Sequence, residues 1–187
     1  VHLFGRSCEI SGVMEFADEH DLVVIEDTAQ SFSASVDSRK CGTFGHFGTY
    51  SFFPSKNLGG YGDGGLVSCL DDDLAEKVRQ LRNHGMHPKY YHAMVGGNFR
   101  IDALQAALLR KKLPHLDSYG EARAENASYY LEELAELKSE QVTLPLPGTT
   151  EEGVIWNQFT LKVRGRRDEL KAHLLESQVG CEVYYPV

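Results

Sequence analysis

Two different hydrophobic periods alternate at the start of the chain. Residues 1–4 and 22–25 are short apolar runs that include β-branched side chains, and residues 10–17 between them carry apolar side chains at helical spacing. Parallel strands joined by a helix are buried on both faces, and ligands collect beyond their carboxyl ends. The pattern therefore predicts an α/β fold, with a candidate site at residues 26–28, directly after the second run.

The same alternation continues along the rest of the chain. The predicted elements are, in order, a loop at 31–48, strands at 49–53 and 66–70, helices capped by Asp72 or Asp73 and by Asp102, a break at Pro114, a helix at 122–137, a strand at 156–163, a helix at 168–177 and a strand at 182–185. Because Pro114 interrupts a helical pattern, we place a domain boundary there. We expect part of a large domain at residues 1–114 and an incomplete, smaller α/β domain at residues 115–187.

Lys56 lies in a constrained setting for a lysine. It follows an aromatic strand and Pro54-Ser55, and a glycine-rich segment comes after it. Lys56 supplies an amine that can condense with an aldehyde, Asp27 a carboxylate that can keep a ring nitrogen protonated, and Ser51 a hydroxyl that can donate to phosphate. These three chemistries indicate a pyridoxal phosphate site with Lys56 as its catalytic residue. Gln30 is placed to meet the ring or its phenolic oxygen.

Each of these residues also has a purely structural explanation. A lone lysine is usually a solvated surface charge, Asp27 could be a turn residue or a helix cap, and Ser51 could bond the backbone. The segment from Gly60 to Gly65 matches the dinucleotide-binding fingerprint, but an apolar strand follows it where that fingerprint requires a helix. We therefore reject a dinucleotide site and assign these glycines either to close approach of the backbone to a ligand or to a tight turn with φ > 0.

Three histidines, His84, His87 and His92, raise the alternative of a metal site. Their segment also contains Gly85 and Pro88 and lacks an accompanying cysteine or carboxylate pattern. We expect loop histidines that face solvent or substrate, and no bound metal.

Composition and charge argue against several classes of partner. The formal net charge is −8, and no cluster of Lys and Arg offers a surface for nucleic acid or an anionic membrane. No apolar run reaches the roughly 18 residues of a membrane span, and residues 1–6 lack the features of a signal peptide. The four cysteines are scattered, which is typical of reduced thiols. We expect a soluble, cytoplasmic protein without a nucleic-acid or membrane partner.

Several longer motifs run in order along the whole chain. They are Val-Val-Ile-Glu-Asp-Thr-Ala-Gln, Thr-Tyr-Ser-Phe-Phe-Pro-Ser-Lys-Asn-Leu-Gly, Gly-Asp-Gly-Gly, Leu-Arg-Asn-His-Gly, Gly-Gly-Asn-Phe-Arg-Ile-Asp-Ala-Leu-Gln, Trp-Asn-Gln-Phe-Thr-Leu-Lys-Val and Val-Tyr-Tyr-Pro-Val. Together they resemble the DegT/DnrJ family of sugar aminotransferases. The resemblance implies the fold-type I transferase architecture, a large mostly parallel sheet domain followed by a smaller α/β domain, in a homodimer with shared active sites.

The resemblance also implies roles for individual residues. Lys56 resembles the Schiff-base lysine and general acid/base, and Asp27 the partner of the pyridinium nitrogen. The other positions carried over are Gln30 beside the ring, Ser51 on the phosphate, Asn98 on the phosphate in the neighbouring subunit's site, and Arg100, Gln158 and Tyr185 toward the substrate.

The implied activity is transfer of an amino group, with glutamate as the donor, to a nucleotide-linked ketosugar. The product is an aminosugar for cell-surface polysaccharide, such as lipopolysaccharide, or a related glycan. Dehydratases of the family resemble this chain with His in place of lysine, so Lys56 argues against that activity. A non-catalytic or regulatory homologue is the alternative. Since the chain does not open with Met and lacks the family's upstream phosphate loop, we expect a fragment that is inactive alone.

Overall fold

The computed structural model describes residues 1–137, 139–149 and 151–186. The chain divides into two compact units, one containing Val1–Ala124 and Gly148–Asn157, the other Glu125–Pro147 and Gln158–Val187. The domain boundary placed at residue 114 stays a prediction.

The first unit opens with a turn, and the strand predicted at residues 1–4 is absent. One backbone hydrogen bond connects this segment to the strand that ends at Asp27, and in it the His2 N–H donates to the Asp27 carbonyl at 2.9 Å. Phe4 and Gly5 then take positive φ angles of 59° and 97°, which turn the backbone out of an extended path. The prediction was wrong because the apolar run is followed at once by this turn.

The predicted helix and second strand follow the turn. Helix α1 (Ile10–Glu19) starts after Glu9, whose side chain accepts from the Gly12 N–H at 2.9 Å. Strand β1 (Ile25–Asp27) begins at the end of the run predicted at residues 22–25, so the strand is shifted toward Asp27. The shift brings the candidate residues into the strand itself.

A two-stranded hairpin lies where the sequence predicted a loop at residues 31–48. Strands β2 (Ser35–Val36) and β3 (Arg39–Lys40) are antiparallel, and Asp37 and Ser38 join them with positive φ angles of 48° and 65°. Two left-handed residues form the turn that suits the twist of a hairpin. The sequence signal was weak because this turn lacks the glycine that usually marks it.

The sheet that carries the candidate site has the order β1-β4-β5. Strand β4 (Phe47–Ser51) is parallel to β1, and β5 (Gly65–Cys69) is antiparallel to β4. Both later strands were predicted, within one or two residues of their observed bounds. The described sheet is therefore mixed, with one parallel and one antiparallel pair.

Three helices follow in the predicted order, but Asp71 caps the first instead of Asp72 or Asp73, and the third begins at Leu116 instead of residue 122. They are α2 (Asp72–Arg82), α3 (Ala103–Lys112) and α4 (Leu116–Glu133), with a 3₁₀ turn at Leu113–His115 and another at Ala135–Leu137. Pro114 lies in the first 3₁₀ turn, as its helix-breaking character predicts. A buried apolar cluster joins strand, loop and helix: Phe52, Leu58, Leu109 and Leu116.

The last elements are short, and several predicted strands are missing from them. Strand β6 (Val142–Thr143) pairs with β8 (Lys162–Val163) in the second unit, and β7 (Glu152–Gly153) pairs with β2 in the first. Helix α5 (Arg167–Glu176) lies where a helix was predicted. The predicted strand at 156–163 is reduced to β8, and the one predicted at 182–185 is not formed. None of the helices in the described ranges is long and apolar enough to cross a membrane.

Candidate active site

Asp27 and Ser51 lie at one edge of the β1-β4-β5 sheet. The parallel register pairs Asp27 with Thr49, so Ser51 lies two residues further in the same direction on β4. The Thr28 N–H donates to the Thr49 carbonyl at 2.8 Å and extends this pairing past the end of β1. The carboxyl ends of both parallel strands therefore present their side chains at the same edge.

Lys56 lies on a tight loop that begins where β4 ends. Its N–H donates to the Phe53 carbonyl at 2.9 Å, and the Gly60 N–H donates to the Phe52 carbonyl at 2.8 Å, which returns the loop to the strand end. The side chain is half-buried, and within the described ranges its ammonium group has no hydrogen bond or ion pair. The amine is available to a ligand beside this edge.

The backbone around Lys56 is held on both sides. Three side-chain hydrogen bonds fix it, from Asn57 to the Ile155 carbonyl at 3.2 Å, from the Tyr61 N–H to Gln105 at 2.9 Å, and from Lys112 to the Gly59 carbonyl. Leu58, two residues after Lys56, is 3% exposed in the apolar cluster. The fold therefore sets the position of the loop, while the lysine side chain itself stays unengaged.

Asp27 and Ser51 each use only part of their hydrogen-bonding capacity. One carboxylate oxygen of Asp27 accepts from the Ala29 N–H at 3.0 Å, and the Ser51 hydroxyl oxygen accepts from the Phe53 N–H at 3.2 Å. The second oxygen of Asp27 and the O–H of Ser51 have no partner in the part of the chain that the structure describes. Both groups are half-buried and can meet a ligand.

Gln30 is buried and makes a structural contact. Its side-chain carbonyl accepts from the Phe4 N–H at 2.9 Å, which holds the opening turn against the segment after β1. A role for Gln30 beside a cofactor ring stays a prediction.

Asn98 and Arg100 lie together on an exposed arm after α2. Asn98 pairs with Asn83 in an antiparallel bridge, and the Arg100 guanidinium donates to the side-chain oxygen of Asn83. The His84 N–H also donates to the Gly97 carbonyl at 2.9 Å, so residues 83–98 double back on themselves. Within the described ranges no hydrogen bond joins these two side chains to Lys56.

Gln158 and Tyr185 belong to the second unit. The side-chain carbonyl oxygen of Gln158 is buried and meets no donor among the described residues. Tyr185 is exposed, and its ring contacts Tyr184 edge-on at 5.4 Å between centroids. The substrate roles expected of both residues stay predictions.

The structure contains a buried pair, His2 and Glu26, that was not predicted from the sequence. His2 Nε2 lies 2.9 Å from a carboxylate oxygen of Glu26, and each side chain is 1% exposed. A charged residue in an apolar strand is itself a signal, because buried charges are almost always paired. Its partner lies 24 positions away, so no local pattern could identify it.

The charges of this pair reinforce each other. Burial of the His2 ring acts to lower its pKa, but its hydrogen bonds and charge interactions with Cys41 and Glu26 outweigh burial and raise the pKa to about 9. Burial likewise acts to raise the pKa of Glu26, and hydrogen bonds from His2 and from backbone N–H groups hold it below its usual value. Both shifts favour the charged form of the group concerned.

The histidine segment contains no metal centre in the described ranges. The ring of His92 bonds the His84 carbonyl at 2.9 Å, and His87 lies 3.5 Å from Glu76. The four cysteines are free thiols.

A cleft of about 980 Å³ borders the Lys56 loop at Leu58. Side chains of β4, β5, α2 and α3 line it, and apolar residues such as Leu66, Val67 and Ile101 predominate. Neither Lys56 nor Asp27 lines this cleft. A catalytic site needs convergent polar groups, so we assign the candidate site to the sheet edge and not to the larger cleft.

Known proteins are similar to this chain over its whole length. The chain is 44% identical to the "Pleiotropic regulatory protein" of Geobacillus stearothermophilus and 40% identical to the UDP-N-acetyl-3-dehydro-alpha-D-glucosamine 3-aminotransferase of Acidithiobacillus ferrooxidans, in both cases over 100% of this chain. These matches cover 50% and 49% of the two relatives. The chain thus spans about half the length of the curated relatives it matches.

A solved structure is also similar to the whole of this chain, which again covers about half of it. The crystal structure of Streptomyces venezuelae DesV, determined in complex with a ketimine intermediate, superposes with a TM-score of 0.92 at 41% identity, over 100% of this chain and 49% of that one. The expected α/β transferase fold is confirmed by this likeness. The sequence profile of the DegT/DnrJ/EryC1/StrS aminotransferases matches residues 1–187. The resemblance noted from the motifs is therefore correct, and the chain belongs to the DegT/DnrJ/EryC1/StrS aminotransferase family.

Proposed function

We propose that this chain carries the lysine half of the active site of a pyridoxal phosphate-dependent aminotransferase, which converts the keto group of a nucleotide-linked sugar into an amine. The observation that carries the proposal is the arrangement of Asp27, Ser51 and the Lys56 loop at one sheet edge. A relative of 40% identity named as a UDP-sugar 3-aminotransferase supports this substrate class.

The residues at the edge fit pyridoxal phosphate in their chemistry. The cofactor needs an amine for its aldehyde, an anion at its ring nitrogen and donors around its phosphate. Lys56 has no competing partner in the described ranges, Asp27 has a carboxylate oxygen to spare, and the Ser51 O–H is available to donate. When bound, the cofactor accepts an amino group from one substrate and delivers it to another.

Each residue has a defined task during that exchange. The Lys56 amine would hold the cofactor through its aldehyde and, when free, would take the proton from the substrate carbon and carry it to the carbon that receives it. The Asp27 carboxylate stabilises a proton on the ring nitrogen by charge. The Ser51 hydroxyl orients the phosphate, and Gln30 borders the ring.

The remaining residues are assigned to the substrates and to the partner subunit. Gln158 brings a buried carbonyl oxygen that lacks a donor within the described residues, which suits a sugar hydroxyl. Arg100 and Tyr185 are placed toward the nucleotide sugar, and glutamate is the amino donor. The product feeds cell-surface polysaccharide such as lipopolysaccharide, and the enzyme is cytoplasmic.

We further propose a homodimer in which Asn98 reaches the phosphate in the neighbouring subunit's site. The exposed arm at residues 83–98 supports this arrangement, since Val95 on it is 94% exposed and Phe99 beside it 75% exposed. Large apolar side chains so exposed are typical of an interface. Residues 1–114 then belong to the large domain, and residues 115–187 to the small one.

A regulatory protein without turnover is the second candidate. A relative of 44% identity, matched over the whole of this chain, is named as a pleiotropic regulatory protein. Such a protein retains the cofactor residues and binds the cofactor but does not transfer an amino group.

Transfer of nitrogen from labelled glutamate to a panel of nucleotide ketosugars tests the proposal, using the product of the complete gene. We expect labelled aminosugar from the wild-type protein and a loss of at least roughly 10²- to 10⁴-fold in Lys56→Ala. Lys77→Ala, which changes an exposed lysine of α2, is the matched control and should keep full activity.

Mixing two inactive variants extends the test to the dimer. In a mixed dimer of Lys56→Ala and Asn98→Ala both defects fall in the same site and the other site is intact, so co-expression should restore about one quarter of the wild-type rate. Cofactor binding without transfer to any sugar would favour the regulatory candidate. Full activity of Lys56→Ala would overturn the assignment of the lysine.

A further inference from the structure

His2 contacts both Glu26 and Asp27. Its ring bonds the Glu26 carboxylate at 2.9 Å, and its backbone N–H donates to the Asp27 carbonyl, also at 2.9 Å. On the other side of β1 the next residue, Thr28, bonds the Thr49 carbonyl at 2.8 Å. The backbone at Asp27 is therefore held from both neighbouring segments.

The Glu26 carboxylate is fully used by hydrogen bonds. One oxygen accepts from His2 and from the Gly42 N–H at 2.7 Å, and the other accepts from the N–H groups of Phe44 and Gly45 at 2.7 and 2.6 Å. Four donors match the acceptor capacity of a carboxylate. Gly42 has a φ of +86°, and a Cβ there would collide with the Tyr50 hydroxyl, so the loop fits around this anion only with glycine.

The bonded loop leads directly into β4, which carries Ser51. Glu26 thus fixes the start of β4 to β1, and the two strands then run in register to the edge where Asp27 and Ser51 lie. Successive side chains of a strand point to opposite faces, so Glu26 is anchored on one face while Asp27 presents its carboxylate on the other.

The charge of Glu26 is a second reason why its pairing with His2 matters for Asp27. Glu26 and Asp27 are adjacent acids, and an unpaired anion at Glu26 would add a second negative charge behind the ligand edge. Because His2 and three backbone N–H groups bind the Glu26 carboxylate, the carboxylate of Asp27 is the one with an oxygen available at this edge. A cation placed there meets one carboxylate in a fixed position.

We propose that His2 and Glu26 are positioning residues that hold the Asp27 carboxylate against the ring nitrogen of the cofactor. This inference rests on the proposed function, because it assigns the ligand of Asp27. It predicts that the pair acts on recognition of the ring nitrogen specifically and not on the fold alone.

The test compares the affinity of two cofactors for the product of the complete gene, by titration of absorbance and fluorescence. One is pyridoxal phosphate, and the other is its deaza analogue, in which carbon replaces the ring nitrogen. We expect the wild-type protein to prefer pyridoxal phosphate, and Asp27→Asn to abolish the preference. Glu26→Gln should reduce it by roughly tenfold, the scale on which supporting partners act at metal sites.

Two further variants separate positioning from folding. His2→Asn leaves the three backbone donors of Glu26 in place and should also reduce the preference, so the test stands even if Glu26→Gln folds poorly. Glu15→Gln, the same change on the exposed face of α1, should leave it unaltered. A general loss of structure would lower the affinity for both cofactors equally and leave the preference unchanged.

The outcomes distinguish this inference from the function on which it rests. If wild-type protein binds pyridoxal phosphate and both Glu26→Gln and His2→Asn keep the wild-type preference, the positioning role is overturned and the proposed function stands. If wild-type protein binds neither cofactor, the proposed function is overturned, and the inference with it.

Discussion

His2 determines how the stability of the first unit depends on pH. Its pKa is raised from 6.5 to about 9, so its stabilising contribution is complete below pH 6.5 and is lost as the pH rises through 9. The pKa of Glu26 is lowered from 4.5, so its contribution is lost as the pH falls below that value. The pair therefore stabilises the folded chain most between pH 4.5 and 6.5.

The free energy of unfolding of the 187-residue chain should fall between about pH 6 and about pH 9. In this range the unfolded state has lost a proton that folded His2 retains, and a shift of this size corresponds to about 3 kcal/mol. Urea unfolding at several pH values measures the slope.

Two other groups near the pair lose their protons at a higher pH than this range. Burial raises the pKa of Cys8 above 9.0 and that of Tyr50 above 10.0.

His2→Asn should remove this slope, because the residue that titrates is gone. His20→Asn, which replaces an exposed histidine just after α1, should leave the slope unchanged. A slope of wild-type size in His2→Asn would show that another group is responsible.

The starts of helices α2 and α3 offer a matched comparison of capping. Asp71 precedes α2 and accepts from the Leu74 N–H at 2.8 Å, whereas Asp102 precedes α3 and makes no side-chain capping bond. Asp71→Ala should lower the free energy of unfolding by about 1 kcal/mol. Asp102→Ala loses only the interaction of its charge with the helix dipole, roughly 0.3–1 kcal/mol at most.

Urea unfolding of the two alanine variants and of Asp71→Asn measures this difference. Asparagine keeps an acceptor oxygen, so it should retain most of the stability that alanine loses. Equal losses in Asp71→Ala and Asp102→Ala would mean that the observed capping bond contributes nothing.

Sequence patterns predicted the helices better than the short strands. Helix α1 and helix α5 lie where periodicity placed them, because a helix is specified by residues three and four apart. The strands predicted at 1–4, 156–163 and 182–185 are absent or reduced, since a strand requires partners that its own sequence does not reveal. Trp156, at the start of one of them, has a φ of +47°, which no extended strand allows.

The residues of the candidate site were predictable from the sequence, but the contacts that support them were not. Lys56 and Ser51 were selected from one continuous motif, and Asp27 from a strand end, so local sequence was sufficient to propose them. The support behind them was not predictable, because it joins His2 to Glu26 and Glu26 to backbone N–H groups of the loop after β3. Backbone donors carry no residue-specific signal, and their convergence on one carboxylate appears only in the fold.

The apolar cleft of the first unit leaves apolar side chains and one edge of the sheet exposed. Leu66 and Val67 of β5 are nearly half exposed on its wall, and β5 pairs only with β4 among the described strands. Open sheet edges and apolar patches of this kind are usually covered by further polypeptide or by a partner. We therefore expect the 187-residue chain alone to expose this surface.

A naphthalene sulfonate dye should therefore bind the isolated chain and gain fluorescence. Apolar side chains form the walls of the cleft, and Arg79, Arg82 and Arg110 also line it and can meet the sulfonate. Val67→Glu places a negative charge on the wall and should reduce the signal severalfold. Val13→Glu, on an equally exposed valine of α1 outside the cleft, should not. If both variants reduce the signal alike, the dye reports general loosening of the structure, and the cleft is not the surface that binds it.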